Sequence, residues 1–204
     1  RVAWHDGVPG AWRVWWVQVD VDAEGPIDPV MVSAPRHAAG TPSLLAMEDD
    51  EVLVVWAETW LDAGFPHGRI QSWRGRSTAE TIQEIDVQWP TPSLVRHDDE
   101  TVMFFRDHRR PWRRTSVYAV RLDAHDRTRG EPVRVGRANT EHGPRPLGCG
   151  DHLWVGSPRT WDTEVLVGIN VLGDDLQKRV PEQQVYQWGA HFAVTDLNCS
   201  EGSV

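Results

Sequence analysis

The sequence is poor in the residues that would point to several common classes of protein. It has 2 Cys, 2 Tyr and 4 Phe among 204 residues, and Lys178 is the single lysine among the 21 Lys and Arg residues. Two thiols are too few to fix a cellular compartment, and without a Cys-x-x-Cys pair a zinc knuckle lacks its motif. No run approaches the roughly 18 consecutive apolar residues of a membrane-spanning helix. We therefore predict no integral membrane segment.

The net charge and the missing motifs argue against further classes of protein function. The net charge is −9 at pH 7, which argues against general binding to nucleic acid, because phosphate backbones bind cationic surfaces. The chain has neither a glycine-rich phosphate loop nor a Gly-x-Ser-x-Gly elbow, so nucleotide hydrolysis and serine-hydrolase chemistry lack their motifs. We expect no cofactor. The two cysteines, Cys149 and Cys199, lie in equivalent regions of successive repeats and are candidates for a disulfide.

Tryptophan is abundant, with 12 residues, and it accompanies an internal repeat. Residues 51–58 align without gaps with residues 100–107 and, more loosely, with residues 151–158. A fourth copy appears when residues 203–204 are read into residues 1–6. The spacings are 49, 51, 52 and again 52, which add up to the 204 residues of the chain. A fixed period of this size, built from short apolar runs, is typical of a repeat architecture.

Each repeat contains four short apolar runs. In the clearest copy we predict strands at residues 42–46, 52–58, 69–74 and 80–87, with a long polar loop at 59–68. Four antiparallel strands per unit with no helix between units predict a single all-β domain, a β-propeller of four blades. The repeats are residues 37–88, 89–138, 139–188, and 189–204 joined to 1–36, so that the N- and C-terminal segments share one blade as a clasp. The alternative is a fragment of a six- or seven-bladed propeller.

The Pro-Ser-Leu runs carry a family resemblance. In residues 42–58 and 92–107 such a run precedes an acidic turn and a Val-rich strand that ends in a carboxylate. This pattern resembles the blades of sialidase-like β-propellers and their non-catalytic relatives over most of the chain. The sequence contains no Ser-x-Asp-x-Gly-x-x-Trp turn, so the resemblance implies the fold and not the sialidase reaction.

When the loops are assigned to the two ends of the blades, arginine, histidine and tryptophan collect on one face and acids on the other. Arginine offers a planar fork to a carboxylate, sulfate or phosphate, and tryptophan offers a flat apolar surface. The candidate ligand-binding residues on this face are Trp12, Trp60, Trp112, Trp161, Arg109, Arg110, Arg145 and Arg159. The four tryptophans are predicted in loops between second and third strands, where covering a hairpin is the alternative role.

Carboxylates and histidines supply two further candidate sites. Glycoside hydrolysis requires two carboxylates that flank the scissile bond, and one repeat position at the end of the second strand holds Asp6, Glu58 and Asp107. These are the candidate catalytic residues of a hydrolase, and pairing with a neighbouring arginine is the alternative. A transition-metal site at the mouth of the channel is a weaker candidate, formed by His37, His142 and His191.

The leading hypothesis is a secreted or cell-surface lectin, a non-catalytic module that binds a glycan or another anionic small ligand on the arginine- and tryptophan-rich face. One alternative is a sialidase-like glycoside hydrolase that uses two of the three carboxylates. Another is a scaffold for protein partners that uses the same face. A hydrolase requires a deep pocket with two carboxylates, a lectin shallow sites repeated from blade to blade, and a scaffold a flat exposed patch.

Overall fold

The computed structural model describes residues 1–8, 10–19, 28–34, 37–75, 78–85, 90–107, 115–137, 143–161 and 164–187. Within these ranges every regular element is a β-strand. The strands are β1 (Val2–Asp6), β2 (Arg13–Val17), β3 (Val30–Met31), β4 (Ala38–Ala46), β5 (Val52–Asp62), β6 (Phe65–Arg74), β7 (Glu80–Ile85), β8 (Ser93–His97), β9 (Glu100–Asp107), β10 (Ser116–Leu122), β11 (Thr128–Arg137), β12 (Arg145–Cys149), β13 (His152–Trp161), β14 (Glu164–Leu172) and β15 (Gln183–Gln187). In these ranges no helix is long and apolar enough to cross a bilayer.

The strands form four antiparallel sheets, each built from strands that follow one another along the chain. Blade 1 contains β1 to β3, blade 2 contains β4 to β7, blade 3 contains β8 to β11, and blade 4 contains β12 to β15. The strands β1, β4, β8 and β12 lie side by side in that order. This arrangement is a β-propeller, which confirms the predicted fold class. The inner strand predicted for blade 1 at residues 191–197, and the clasp that includes it, lie outside the described residues.

The second strand of blade 2, β5, is apolar over residues 52–57 because it is buried on both faces there. Even-numbered residues 52 to 56 of β5 pack with Val14 of blade 1, and residues 53 and 55 pack with Met103 and Phe105 of blade 3. Successive side chains of a strand point to opposite faces, so each neighbouring blade receives one half of the strand. The continuous apolar runs that define the repeat therefore form the contacts between blades.

The Pro-Ser-Leu runs link the first strands of neighbouring blades. The Leu94 N–H donates to Ser43 Oγ at 3.0 Å, and Ser93 Oγ donates to the Pro144 carbonyl oxygen at 2.7 Å. Each serine thus ties its own blade to the next one. Hydrogen bonding between blades accounts for the recurrence of these residues without any ligand.

The long polar loop predicted at residues 59–68 is wrong, because this segment is the tip of a hairpin. β5 and β6 stay paired as far as Asp62 and Phe65, and Ala63 and Gly64 form the turn with φ of 48° and 84°. Positive φ at both central residues is typical of a type I′ turn, whose twist matches that of paired strands. Phe65, beside the turn, is 70% exposed. The hairpin tip at residues 59–68, which we call the hairpin arm, therefore extends past the core, and its strands pair without a regular apolar pattern.

Ion pairs link the acidic turns at the end of the blades opposite the hairpin arm. Each pair joins neighbouring blades, and together they neutralise part of the acidic face that the sequence predicts. The pairs are Arg1–Asp50 at 2.8 Å, Arg96–Glu48 at 2.7 Å and Arg74–Asp126 at 2.6 Å. Burial raises the pKa of the Asp126 carboxyl, against the opposing effect of Arg74.

Candidate functional site

At the tryptophan-rich end of the propeller, the face of blade 2 that meets blade 1 carries a series of cross-strand residue pairs. Residues 56, 58 and 60 lie on one face of β5, because side chains alternate along a strand. This face is turned toward blade 1, since Trp56 packs with Val14 there. From the core to the hairpin tip, the pairs across β5 and β6 are Trp56–Gln71, Glu58–Arg69 and Trp60–His67.

Glu58 is held by an arginine in the middle of this series. Arg69 donates from Nε and Nη2 to Glu58 Oε2, at 2.9 and 2.7 Å, and Trp56 Nε1 donates to Oε1 at 3.4 Å. The Glu58 side chain is 2% exposed. Both carboxylate oxygens therefore have donors inside the protein, which is the arginine pairing considered above as the alternative to catalysis.

Trp60 is contacted by two imidazoles and a guanidinium. Its ring centroid lies 4.7 Å from that of His37 and 6.1 Å from that of His67. Arg69 Cζ lies 5.7 Å from the same centroid, a distance at which a cation is attracted to the ring. Trp60 remains half-exposed. A rigid aromatic surface thus faces solvent at the base of the hairpin arm.

A second stack lies in blade 1, beside the first. The rings of His5 and Trp12 are nearly parallel, with centroids 4.6 Å apart and 13° between their planes. Arg13 Nη1 connects the two stacks, because it donates to the carbonyl oxygens of Trp12 at 2.8 Å and His37 at 3.2 Å. We call His5, Trp12, His37, Trp60 and His67 the aromatic row.

A cavity of about 430 Å³ lies beside the aromatic row. Its described lining comes from all four blades: residues 3–5, 41–43, 91–93, 143 and 145. His5 belongs to both the cavity and the row, so the two form one continuous surface. We call this space the axial cavity. Its volume lies in the range of small-molecule sites, which is about 300 to 1,000 Å³.

Two larger cavities, of about 590 and 510 Å³, lie among the acidic turns of blades 2 and 3. Arginines and acids of their linings bind each other: Arg96 pairs with Glu48, and Arg74 pairs with Asp126. Because these charged groups satisfy each other, we assign the candidate ligand site to the smaller axial cavity and the aromatic row.

The structure brings three of the predicted ligand-binding residues to this site, namely Trp12, Trp60 and Arg145. Trp60 lies in β5, so its predicted place in a loop is wrong. Arg159 and Trp161 belong to β13, and Trp161 ends that strand, so its predicted place in a loop is also wrong; their side chains lie outside the described part of the structure. The remaining candidates lie outside the described residues: Trp112, Arg109, Arg110, His142 and His191.

The three candidate catalytic carboxylates occupy one repeat position, and each is paired with a residue of the next strand in its own blade. Asp107 follows Phe105 on the face of β9 that packs against blade 2, whereas Glu58 faces blade 1. Asp107 is 3% exposed and Asp6 is exposed. The described lining of the axial cavity includes none of the three. Their partners across the next strand are Asp6–Arg13, Glu58–Arg69 and Asp107–Ser116.

The sequence candidates did not include His5 and His67. A two-residue turn at Ala63 and Gly64 would have placed His67 opposite Trp60, so a signal for it was present. The contact of His5 with Trp12 depends on the turn that begins at Gly7, where φ is 135° and a Cβ would lie 2.8 Å from the Ala11 carbonyl oxygen. Only glycine fits this turn, but the identity of the stacked residues follows from tertiary structure alone.

The sequence matches no protein-family model and no curated protein. Among solved structures, the chain is similar to a thermostable family-43 glycoside hydrolase, with a TM-score of 0.54 and 10% identity over 89% of this chain and 65% of that chain. The chain thus spans less than two thirds of that structure. It is also similar to an endo-arabinase from Bacteroides thetaiotaomicron VPI-5482, with a TM-score of 0.45 and 9% identity over 95% of this chain and 75% of that chain. The first likeness supports the propeller fold. It does not single out sialidase-like propellers.

Proposed function

We propose that the protein is a non-catalytic module that binds a glycan across the aromatic row and an anionic group of that glycan at Arg145. The observation that carries the proposal is the stack of His5 on the half-exposed Trp12 at a polar cavity that His5 lines, with the half-exposed Trp60 in the neighbouring stack. Tryptophan faces pack against apolar faces of sugar rings. Arginine forms paired hydrogen bonds to carboxylate or sulfate. The fold likeness to a glycoside hydrolase supports a carbohydrate ligand.

A glycoside hydrolase is the second candidate, because the likeness to a family-43 glycoside hydrolase favours it. Hydrolysis requires two carboxylates on either side of one bond, about 5 to 9.5 Å apart. Glu58 is neutralised by Arg69, and Asp107 faces a different boundary between blades. These positions favour binding over hydrolysis.

We expect the double variant Trp12→Ala, Trp60→Ala to weaken glycan binding at least about tenfold, or roughly 1.4 kcal/mol. Both rings offer exposed aromatic surface that alanine lacks. A glycan array would identify ligands, and calorimetry would measure their affinities. Arg145→Gln should weaken binding of uronate- or sulfate-bearing glycans more than binding of neutral ones.

Trp154→Ala is the matched control, because Trp154 is a half-exposed tryptophan of blade 4 away from the aromatic row. It should bind like the wild type. Binding to no glycan, or equal binding by the double variant, would rule out the lectin proposal. Cleavage of a bound glycan that disappears in Asp107→Asn would support the hydrolase instead.

We also propose that the protein acts outside the cell or at its surface. Cys149 is disulfide-bonded, and the other cysteine of the sequence, Cys199, lies outside the described residues. Disulfides persist mainly in oxidising compartments, so the bond supports this location. Fractionation of the source cells should recover the protein outside the cytosol, and a purely cytosolic protein would contradict the proposal.

A further inference from the structure

A separate cluster of metal-ligating side chains lies where blades 3 and 4 meet at their acidic end. His97 is the last residue of β8, Asp98 follows it in the turn to β9, and Asp174 lies in the turn between β14 and β15. One ligand atom from each residue lies within 4.8 Å of the others. The cluster contains none of the predicted metal candidates.

His97 directs a buried ring nitrogen toward the two carboxylates. Its side chain is 6% exposed, and Nε2 lies 3.8 Å from Asp98 Oδ2 and 3.6 Å from Asp174 Oδ1. Both distances are too long for hydrogen bonds, and among the described residues Nε2 has no hydrogen-bond partner. A buried polar atom without a hydrogen-bond partner requires an explanation, and a bound ion is one such explanation.

Gly148 of β12 closes the other side of the His97 ring. A Cβ at Gly148 would lie 3.7 Å from His97 Nδ1 and 3.0 Å from the Arg96 carbonyl oxygen. The backbone of the neighbouring strand therefore lies beside the Nδ1 side of the imidazole, and Nε2 lies on the side of the carboxylates.

The charges at this boundary differ from those at the neighbouring ones. Blades 1 and 2, and blades 2 and 3, are joined there by the arginine–carboxylate pairs described above. Asp98 and Asp174, whose side chains are 71% and 74% exposed, instead approach an imidazole. The adjacent acid Asp175 is paired with Arg179 at 3.2 Å. In the described part of the chain no arginine or lysine pairs with Asp98 or Asp174, and a cation between them would balance their charge.

We propose that His97, Asp98 and Asp174 bind a divalent transition-metal ion such as Zn²⁺, which joins blade 3 to blade 4. One imidazole nitrogen and carboxylate oxygens suit Zn²⁺ and its neighbours, whereas Ca²⁺ takes six to eight oxygen ligands. Ligands at about 2.0 to 2.2 Å from zinc lie roughly 3.3 to 3.6 Å apart. The two separations from His97 Nε2, 3.8 and 3.6 Å, are close to this range. The carboxylate oxygens lie within 4.8 Å of each other, so binding requires a small movement of these exposed side chains.

The test is zinc binding by the untagged chain after treatment with EDTA. We expect one Zn²⁺ per chain by calorimetry, a visible absorption band with Co²⁺, and a higher unfolding temperature with Zn²⁺, because an ion that binds only the folded state stabilises it. Asp98→Asn and Asp174→Asn should each weaken zinc affinity at least about tenfold. Asp99→Asn, in the same turn, should change it less than about twofold.

Asp98 and Asp174 are exposed, so their asparagine variants test the site without disturbing the core. Asparagine also tolerates the positive φ of 52° at Asp98. Circular dichroism would verify that each variant folds. Absence of saturable zinc binding, or equal zinc affinity in wild type, Asp98→Asn and Asp174→Asn, would overturn the proposal. So would binding of Ca²⁺ in preference to Zn²⁺.

Discussion

Replacing Arg69 with methionine is expected to lower the free energy of unfolding by about 3 to 5 kcal/mol. The change leaves the Glu58 carboxylate buried, with its side chain 2% exposed, and removes both donors to Oε2. Within the described ranges the remaining donor to Glu58 is Trp56 Nε1, at 3.4 Å. Methionine retains much of the volume of the arginine stem, so the loss of folding free energy measures the cost of the unpaired charge rather than that of a cavity.

Denaturant unfolding at neutral pH would measure this effect. The double variant Arg69→Met, Glu58→Gln should recover at least half of the loss, because it removes the charge that has no partner. Arg129→Met is the matched control: Arg129 is 68% exposed and binds Glu100 at 2.9 Å, and such surface pairs contribute about 0 to 1 kcal/mol. A loss below about 1 kcal/mol for Arg69→Met would show that the Glu58 site is solvated.

Trp56→Ala is expected to cost about 3 to 5 kcal/mol of folding free energy, because it opens a cavity between blades 1 and 2. Trp56 is among the largest fully buried side chains and is 0% exposed. It packs in a cluster with Val14, Val54 and Ala39. The variant also removes one donor to Glu58.

Trp60→Ala is the matched comparison, since Trp60 lies four residues further along the same face of β5 but is half-exposed. We expect it to cost about 1 kcal/mol, as is usual for point mutants. If Trp60 binds glycan, Trp60→Ala loses binding and keeps its fold, whereas Trp56→Ala loses stability. Equal losses of stability in the two variants would contradict the assignment of Trp56 to the core and Trp60 to the site.

The repeat in the sequence predicts the register of the propeller well. Asp6, Glu58 and Asp107 occupy one repeat position, and the structure pairs all three with the following strand in the same register. A repeat preserves the position of a residue within its blade because each blade is built in the same way. It carries no information on which residue of the next blade lies opposite, and for that reason the catalytic role of these three carboxylates stays a prediction.

The hairpin arm shows where the apolar periodicity of the sequence no longer predicts a strand. Residues 59–68 contain Gly64 and Pro66 and lack a regular apolar alternation, so they suggest a loop, yet β5 and β6 stay paired through Trp60–His67 to the turn. Alternation marks a strand only where one face is buried. Beyond the core both faces meet solvent, and the backbone hydrogen bonds and the type I′ turn hold the strands together without an apolar pattern.

The sequence by itself determined the all-β class, the four-strand unit and the order of the blades, because apolar runs with fixed spacing encode burial within each repeat. Only the tertiary structure decided the packing of His37 against Trp60 and the approach of Asp174 to His97. Both contacts join residues that are distant in the sequence. They depend on the packing of side chains from separate segments, which no local pattern of residues encodes.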